Sequence, residues 1–425
     1  MTEAAIRSSR LAVMNFLNEA ENDYPDAISF ASGRPAEAFF SFERWLDAIP
    51  TYQEYAAKST GQSMLLAGRR LAQYGRTGGI INTLVAQQLR LDEGIDCQPD
   101  QVIVTAGCQE ALALIVPLLC REPGDVMLAR NPTYIGITGV ADFAGIEIVP
   151  IGPYAGEGWE MAIQRVTVEL RQAGKTPRGL YLTPEFDNPT GTVLSEAERR
   201  SIIAGCAEHR IAVLEDNPYG MFRFEGEPTP AMKTLDQMGC VIYLATYSKT
   251  LCPAVRVGAA VLPTRLFGSE AAAKRMRAEL CERKSFVTVN TSQINQALVG
   301  GVLLNEQGSL ARLVEAPLAH YRRNRDALIG ALERAFTGMT GDASWNRPEG
   351  GFFLGVRLPF EFGERETVEC ARDHGVIVLP MTFFSLDKSH KNEVRLAFSN
   401  LTPEEIDSGV SRFARYVKER AAQAT

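Results

Sequence analysis

The chain has 425 residues, of which 45% are apolar and 22% charged, and a formal net charge of −7. This length supports a large core and two domains, while the acidic balance and the lack of any Lys/Arg run exclude a nucleic-acid footprint. The eight cysteines form no CxxC pair, the four histidines are isolated, and the longest apolar stretch (111–120) is interrupted by Pro117, which excludes a recognisable zinc site and a membrane span.

In chain order, the opening MTEAAIRSSR has no apolar segment of the kind that marks a secretory signal. The scattered cysteines read as small core residues with reduced thiols, so a cytoplasmic location is expected. From about residue 101 to 263, short apolar runs alternate with stretches of helical pattern; the runs are 102–105, 126–128, 146–149, 180–182, 211–214, 241–244 and 258–261. Runs this short and uniformly apolar predict strands buried on both faces, hence a mostly parallel, helix-covered sheet and an α/β domain. Ser195 with Glu198 forms a capping box that opens a helix running to about His209. Residues 306–336 carry a long, charged helical pattern suited to a connector between domains. After Gly350 and Gly351, the segments 352–358, 376–379 and 393–398 read as strands and 364–373 and 403–422 as helices, so a smaller α+β domain follows.

In an α/β sheet, binding groups collect outside the carboxyl ends of the strands, and five segments here place chemistry at such ends. Gly107 turns the first run into a helix beginning near Cys108 and Gln109; its free N–H groups suit an anion or simply make a tight βα connection. Tyr134, in Asn131-Pro132-Thr133-Tyr134, offers a ring to a flat heterocycle or to the core. Asn188, ahead of Pro189, can donate to a phenolate oxygen or sit in a plain turn. Asp216, followed by Asn217-Pro218-Tyr219, can pair with a pyridinium or cap a turn. The run 241–244 leads into Thr246, Ser248 and Lys249, with Arg256 seven residues beyond. That is an amine beside hydroxyl and guanidinium donors for phosphate, or an exposed loop lysine. Ala173-Gly174-Lys175-Thr176 lacks the earlier glycine of a nucleotide phosphate loop, Glu169 standing there, so nucleotide binding is set aside.

Taken together, QYGRTGG (73–79), TAGCQ (105–109), NPTY (131–134), PEFDNPTG (184–191), EDNPYG (215–220), YSKTLCPAVRVG (247–258) and VRLAFS (394–399) occur in one order and spacing. In this the chain resembles the class I/II, fold-type I aminotransferases that use pyridoxal 5'-phosphate (PLP), over nearly its whole length. PLP requires a lysine, an acid for its ring nitrogen and an anion site. The resemblance implies a large domain with a mostly parallel seven-stranded sheet plus a smaller α+β domain. Residues 1–50 would form an N-terminal arm and part of the small domain, 51–305 the large PLP-binding domain, and 306–425 the connector helix and C-terminal small domain.

By the same resemblance, Lys249 is the Schiff-base and proton-shuttling lysine, Asp216 pairs with the pyridine nitrogen, Asn188 and Tyr219 bond the phenolic oxygen, and Tyr134 stacks on the ring. Gly107, Cys108, Gln109, Thr246, Ser248 and Arg256 form the phosphate cup. Arg395, assisted by Asn188, clamps the substrate α-carboxylate, and Gly33, in SFASGRP, lies in the segment that closes over substrate. Tyr74 reaches the phosphate of a partner subunit, so a homodimer with shared sites is expected. Asn188–Pro189 and Asn131–Pro132 are expected to be cis. Cys108 departs from the usual Ser, Thr or Ala, which leaves only its backbone N–H for phosphate. Arg34 and Arg76 also depart from the pattern. With Arg7 and Arg10, they are either receptors for a side-chain carboxylate or solvated arginines.

The activity implied is ping-pong transamination between an amino acid and a 2-oxo acid, with Lys249 as general base. SFASGRP, QYGRTGG and NPTYIGITG look closest to the α-aminoadipate, aromatic and arylglycine transaminases, including (S)-3,5-dihydroxyphenylglycine transaminase-like proteins. The same cofactor also supports oxidase, lyase and decarboxylase chemistry. A non-enzymatic regulator of this fold would carry a DNA-binding domain first, for which no room is expected here.

Overall fold

The computed structural model describes residues 16, 19–337 and 343–424. A short strand β1 (Ile28–Ser29) precedes the main sheet, whose strands are β2 (Val102–Thr105), β3 (Asp125–Ala129), β4 (Ile148–Pro150), β5 (Thr176–Leu182), β6 (Ala212–Asp216), β7 (Val241–Thr246) and β8 (Gly258–Val261). Each of the seven apolar runs has become a strand. Their order is β2-β8-β7-β6-β5-β3-β4, and only β8 runs antiparallel to its neighbours.

The two-residue period of a strand sends alternate side chains to opposite faces. Val126, Leu128, Leu180, Leu182, Val213 and Val241 pack on one side with Trp159, Ile163, Ile202 and Ile203 of the helices Trp159–Gln172 and Glu196–His209. Met127, Tyr181, Leu214, Ile242 and Leu244 pack on the other, against Leu112, Ile115 and Val116 of the helix Cys108–Leu119. The helix Glu196–His209 starts as the capping box requires, Ser195 accepting from the Glu198 N–H and Glu198 from the Ser195 N–H.

Because β2, β3, β5, β6 and β7 share one direction, their carboxyl ends lie on one edge of the sheet, and antiparallel β8 begins there. The loops carrying Gly107, Asn131, Asn188, Asp216, Lys249 and Arg256 therefore emerge side by side.

The C-terminal domain is built on an antiparallel sheet of β9 (Ser344–Trp345), β10 (Phe353–Arg357), β12 (Leu379–Pro380) and β13 (Glu393–Ala397), in the order β12-β13-β10-β9, while β11 (Val376–Ile377) pairs in parallel with β1. The helices Ala311–Phe336 and Pro403–Ala424 pack against it. The connector helix begins at Ala311 and not at 306, because Gln307 and Gly308 take φ of 56° and 89°, outside the right-handed helical region. Past β1 the chain stays on this domain: the Phe30 N–H donates to Ile377 O at 2.8 Å, and the Ala397 N–H donates to Phe30 O at 2.8 Å.

The loop that carries Asn188 is pinned by charge. Arg199 is fully buried; it donates to Leu194 O at 2.9 Å and Pro230 O at 3.0 Å and pairs with Glu185, which also takes Arg223 at 2.6 Å. Removing Arg199 strips Glu185 of one of its two cations and leaves the Leu194 and Pro230 carbonyls without that donor. Arg199→Ala is expected to lower the unfolding free energy by about 3–5 kcal/mol. Arg200→Ala, which breaks only an exposed pair with Glu196, should change it by less than about 1 kcal/mol. Urea denaturation followed by circular dichroism compares the two, and equal effects would refute the role given to Arg199.

Candidate active site

Lys249 leaves the end of β7 on a turn held by the Ser248 N–H to Thr246 Oγ1 (3.2 Å) and by Tyr247, whose ring is buried and whose N–H donates to Val257 O at 3.1 Å. Its amine donates to Gly33 O at 2.9 Å. Only glycine permits this approach, since a Cβ at 33 would lie 2.5 Å from the Phe353 ring. Burial first, then the charges of Arg395, Arg256 and Arg34, pull the Lys249 amine down to about 8 against the opposing pull of Asp216.

Asp216 ends β6 and is buried. Its Oδ2 accepts from the Tyr181 hydroxyl at 2.7 Å, and its Oδ1 has no partner. Burial pushes the carboxyl up to about 6, although Tyr181, Cys108 and Lys249 act in the opposite sense.

The loop after β2 makes a cradle. Gly107 has φ +79°, and a Cβ there would sit 2.5 Å from Arg256 Nη2, so the left-handed conformation and the close approach both call for glycine. Arg256 donates through Nη1 to Ser248 Oγ at 3.3 Å and through Nη2 to Ala106 O at 3.2 Å. Gln109 donates to Gly136 O at 3.1 Å. The Cys108 thiol donates to Ala245 O at 3.2 Å, and burial, then Asp216, hold it well above the ordinary thiol range. The thiol thus faces the sheet and leaves the residue's N–H at the helix start.

From the other domain, Arg395 alternates with the core residues Val394 and Leu396 along β13 and so points out of that core. It is buried, donates through Nη1 to Asn188 Oδ1 at 2.9 Å and through Nη2 to Ala31 O, and its Nε has no partner. Its guanidinium lies 4.4 Å from the Phe353 ring centre and 4.8 Å from that of Phe384. Burial lowers it to about 10. Tyr219 packs edge-on to Phe353 at 5.5 Å, and burial lifts its phenol above the usual range. Tyr134 is raised to about 12 by burial, then by Asp216 and Cys108. Asn131–Pro132 and Asn188–Pro189 are both cis.

The structure thus gathers Lys249, Asp216, Tyr219, Asn188, Tyr134, Arg395 and Gly33 with the loop of Gly107, Cys108, Gln109, Thr246, Ser248 and Arg256. It does not bring in Tyr74, which is 78% exposed and lines a separate cavity of about 880 Å³ with Arg76, Arg70 and Gln293. Arg34 is also largely exposed, 3.9 Å from Glu21, although its charge reaches Lys249. Arg7 and Arg10 lie outside the described residues. Tyr181 and the carbonyls of Ala31 and Gly33 were not anticipated. Tyr181 carried only the signal of a hydroxyl in an apolar run, and the backbone carbonyls carried none. Among the described residues no group of His, Cys, Asp or Glu is arranged to hold a metal, and no helix is long and apolar enough to cross a membrane.

Residues 25–413 match the aminotransferase class I and II family. The chain is similar to (S)-3,5-dihydroxyphenylglycine transaminase of Amycolatopsis orientalis, 38% identical over 99% of this chain and 93% of that protein. It is also similar to aromatic-amino-acid aminotransferase 1 of Thermococcus litoralis, 30% identical over 93% of this chain and 88% of that one. Among solved structures, Pyrococcus horikoshii kynurenine aminotransferase in complex with PMP aligns with a TM-score of 0.81 at 27% identity, covering 99% of this chain and 97% of the other.

The depressed Lys249 amine makes a direct expectation. In cofactor-free protein, modification of Lys249 by an amine reagent should rise with pH through a midpoint near 8, because deprotonation exposes the nucleophile. Arg395→Met should move that midpoint upward by removing a cation that disfavours the ammonium form. Peptide-resolved labelling across pH reads both. A midpoint at the ordinary 10.5 would show that the cleft does not perturb this lysine.

Proposed function

Because the chain belongs to the class I and II aminotransferases and is a PLP-dependent transaminase, we propose that Lys249 carries the cofactor and moves the substrate proton, with Asp216 against the ring nitrogen. The observation that carries this reading is the pairing of a depressed amine at the end of β7 with a buried carboxylate at the end of neighbouring β6, one oxygen of which is unpartnered. The cleft fits PLP in three further ways. Gly107 leaves a cradle that a Cβ would fill, Arg395 Nε is buried without a partner, and Lys249 is tied to one backbone carbonyl that it can release.

When bound, PLP supplies an aldehyde for the amine and a ring that accepts the electrons released with the α-proton. The residues around it do the rest. Neutral Lys249 takes the proton at Nζ and returns it. Tyr181 holds Asp216 Oδ2, which leaves Oδ1 as the oxygen that would pair with the ring nitrogen. Asn188 and Tyr219 bond the phenolic oxygen, and Tyr134 covers the ring. The N–H groups of Gly107, Cys108 and Gln109 at the helix start, with Thr246, Ser248 and Arg256, hold the phosphate. Arg395 and Asn188 receive the substrate α-carboxylate, Phe353 and Phe384 shield that contact from water, and Gly33 and Arg34 border the substrate.

The amino donor is an arylglycine or aromatic amino acid, with an α-aminoadipate-like acid as the alternative, and the acceptor is a 2-oxo acid. This rests on the relative that acts on (S)-3,5-dihydroxyphenylglycine and on the aromatic rings beside Arg395. Keto-acid formation from a panel of amino acids, with and without a 2-oxo acid and with and without oxygen, tests it. An acceptor-dependent product from an arylglycine is expected. Keto acid formed beyond one equivalent per site without the acceptor would mean lyase or oxidase chemistry instead, and release of CO2 with an amine would mean decarboxylation. Borohydride reduction should leave a pyridoxyl group on Lys249, and an adduct on another lysine would overturn the site.

We further propose a cytoplasmic homodimer. All eight cysteines are free thiols, which suits a reducing compartment. Phe286 at 86%, Tyr74 at 78%, Leu65 at 66% and Val287 at 64% are exposed apolar side chains. Their segments adjoin, since Gln293 Nε2 donates to Arg70 O at 3.2 Å. An exposed apolar patch of this kind suits a subunit contact. In that dimer Tyr74 serves the neighbouring site. Tyr74→Ala and Lys249→Ala should each impair turnover alone and regain activity when mixed and allowed to exchange subunits, since one site per mixed dimer is then intact. Failure to complement despite exchange would place Tyr74 outside the shared site.

A further inference from the structure

Beneath the cradle lies a buried charge cluster that the mechanism above does not use. Glu110 stands in the first turn of the helix Cys108–Leu119 and is buried. Its Oε2 accepts from the Ala106 N–H at 2.6 Å and from Lys284 Nζ at 2.7 Å, and its Oε1 accepts from the Thr288 hydroxyl at 2.5 Å. Lys284, on the helix Glu270–Val287, has no exposed surface, and its amine also donates to Thr288 Oγ1 at 2.9 Å. Ala106 is therefore held from both sides: its N–H by Glu110 and its carbonyl by Arg256 at 3.2 Å.

Two effects of Glu110 oppose each other here. Its carboxylate fixes the residue before Gly107 and so sets where the N–H groups of residues 107–109 point. Its negative charge, however, sits at the same helix end that is to receive an anion, where it would repel that anion through a medium of low dielectric. Lys284 at 2.7 Å cancels the charge while leaving the hydrogen bond to Ala106 intact. We infer that Glu110 is a positioning residue for the phosphate loop, and that buried Lys284 is what allows a carboxylate to occupy that position. This rests on the assignment of residues 107–109 and Arg256 as the phosphate cup.

The test compares binding of PLP and of pyridoxal, which lacks the phosphate, to cofactor-free full-length protein, followed by absorbance. Lys284→Met alone leaves a bare carboxylate under the cup and should weaken PLP binding by about tenfold or more with little change for pyridoxal. Since that variant can also lose its fold, two uncharged double variants decide the matter. Glu110→Gln with Lys284→Met keeps an oxygen that accepts from the Ala106 N–H, and should hold PLP nearly as the natural protein does. Glu110→Ala with Lys284→Met removes that acceptor and should bind PLP about tenfold more weakly than the first, with pyridoxal binding equal in both. Equal PLP affinity in the two doubles, while Arg256→Ala selectively weakens PLP, overturns the role of Glu110 alone. If Arg256→Ala also leaves the PLP-to-pyridoxal ratio unchanged, the cup assignment itself falls and this inference with it.

Discussion

Three cations, Lys249, Arg256 and Arg395, face one cleft in which Asp216 is the near carboxylate, and burial acts on Lys249, Arg395 and Asp216 in a medium where charges are poorly solvated. The consequences run in opposite directions: the lysine falls to about 8 and the aspartic acid climbs to about 6. Each group is pushed toward its neutral form, and the cleft as a whole keeps an excess of positive charge. In the proposed reading, a ligand with a phosphate, a carboxylate and a protonated ring nitrogen would supply the missing partners. The rest of the structure serves to hold Lys249, Asp216 and Arg395 away from bulk water.

Two devices achieve that. The first is the sheet, whose shared strand direction puts Gly107, Asn188, Asp216 and Lys249 on one edge without any of them needing to be near another in sequence. The second is the crossing of residues 28–33 onto the C-terminal domain. There Ala31 O takes Arg395 and Gly33 O takes Lys249, so that one short segment touches the key side chain of each domain. The pinned pair Glu185 and Arg199 and the pair Glu110 and Lys284 play matching parts under the two loops that flank the cleft. In the first, buried Arg199 binds the loop's carbonyls and Glu185 balances its charge; in the second, buried Glu110 binds the loop's N–H and Lys284 balances it.

Membership of the aminotransferase family accounts for the cofactor and for the class of reaction, while the individuality of this chain lies in its departures. Cys108 turns its thiol toward Ala245 and Asp216, so that only its backbone N–H is left for the proposed phosphate contact. Arg34 and Arg76 remain outside the gathered cluster, one largely exposed and the other lining the cavity beside Tyr74.

Much of this was legible from residue order. The seven apolar runs, the Ser195 capping box and the strand-to-helix turn at Gly107 depend on a few neighbouring residues, and period and turn chemistry are local properties. The motif residues could likewise be assigned roles by resemblance, because their types and spacing travel with the chemistry. What residue order did not disclose is which atoms meet across long separations: Tyr181 on Asp216, Ala31 O on Arg395, Gly33 O on Lys249 and Lys284 under Ala106. These contacts follow from strand order, register and the docking of one domain on the other. Two of them use backbone carbonyls, which every residue carries alike. Such partners acquire an identity only when the tertiary fold chooses which one lies within reach and out of water.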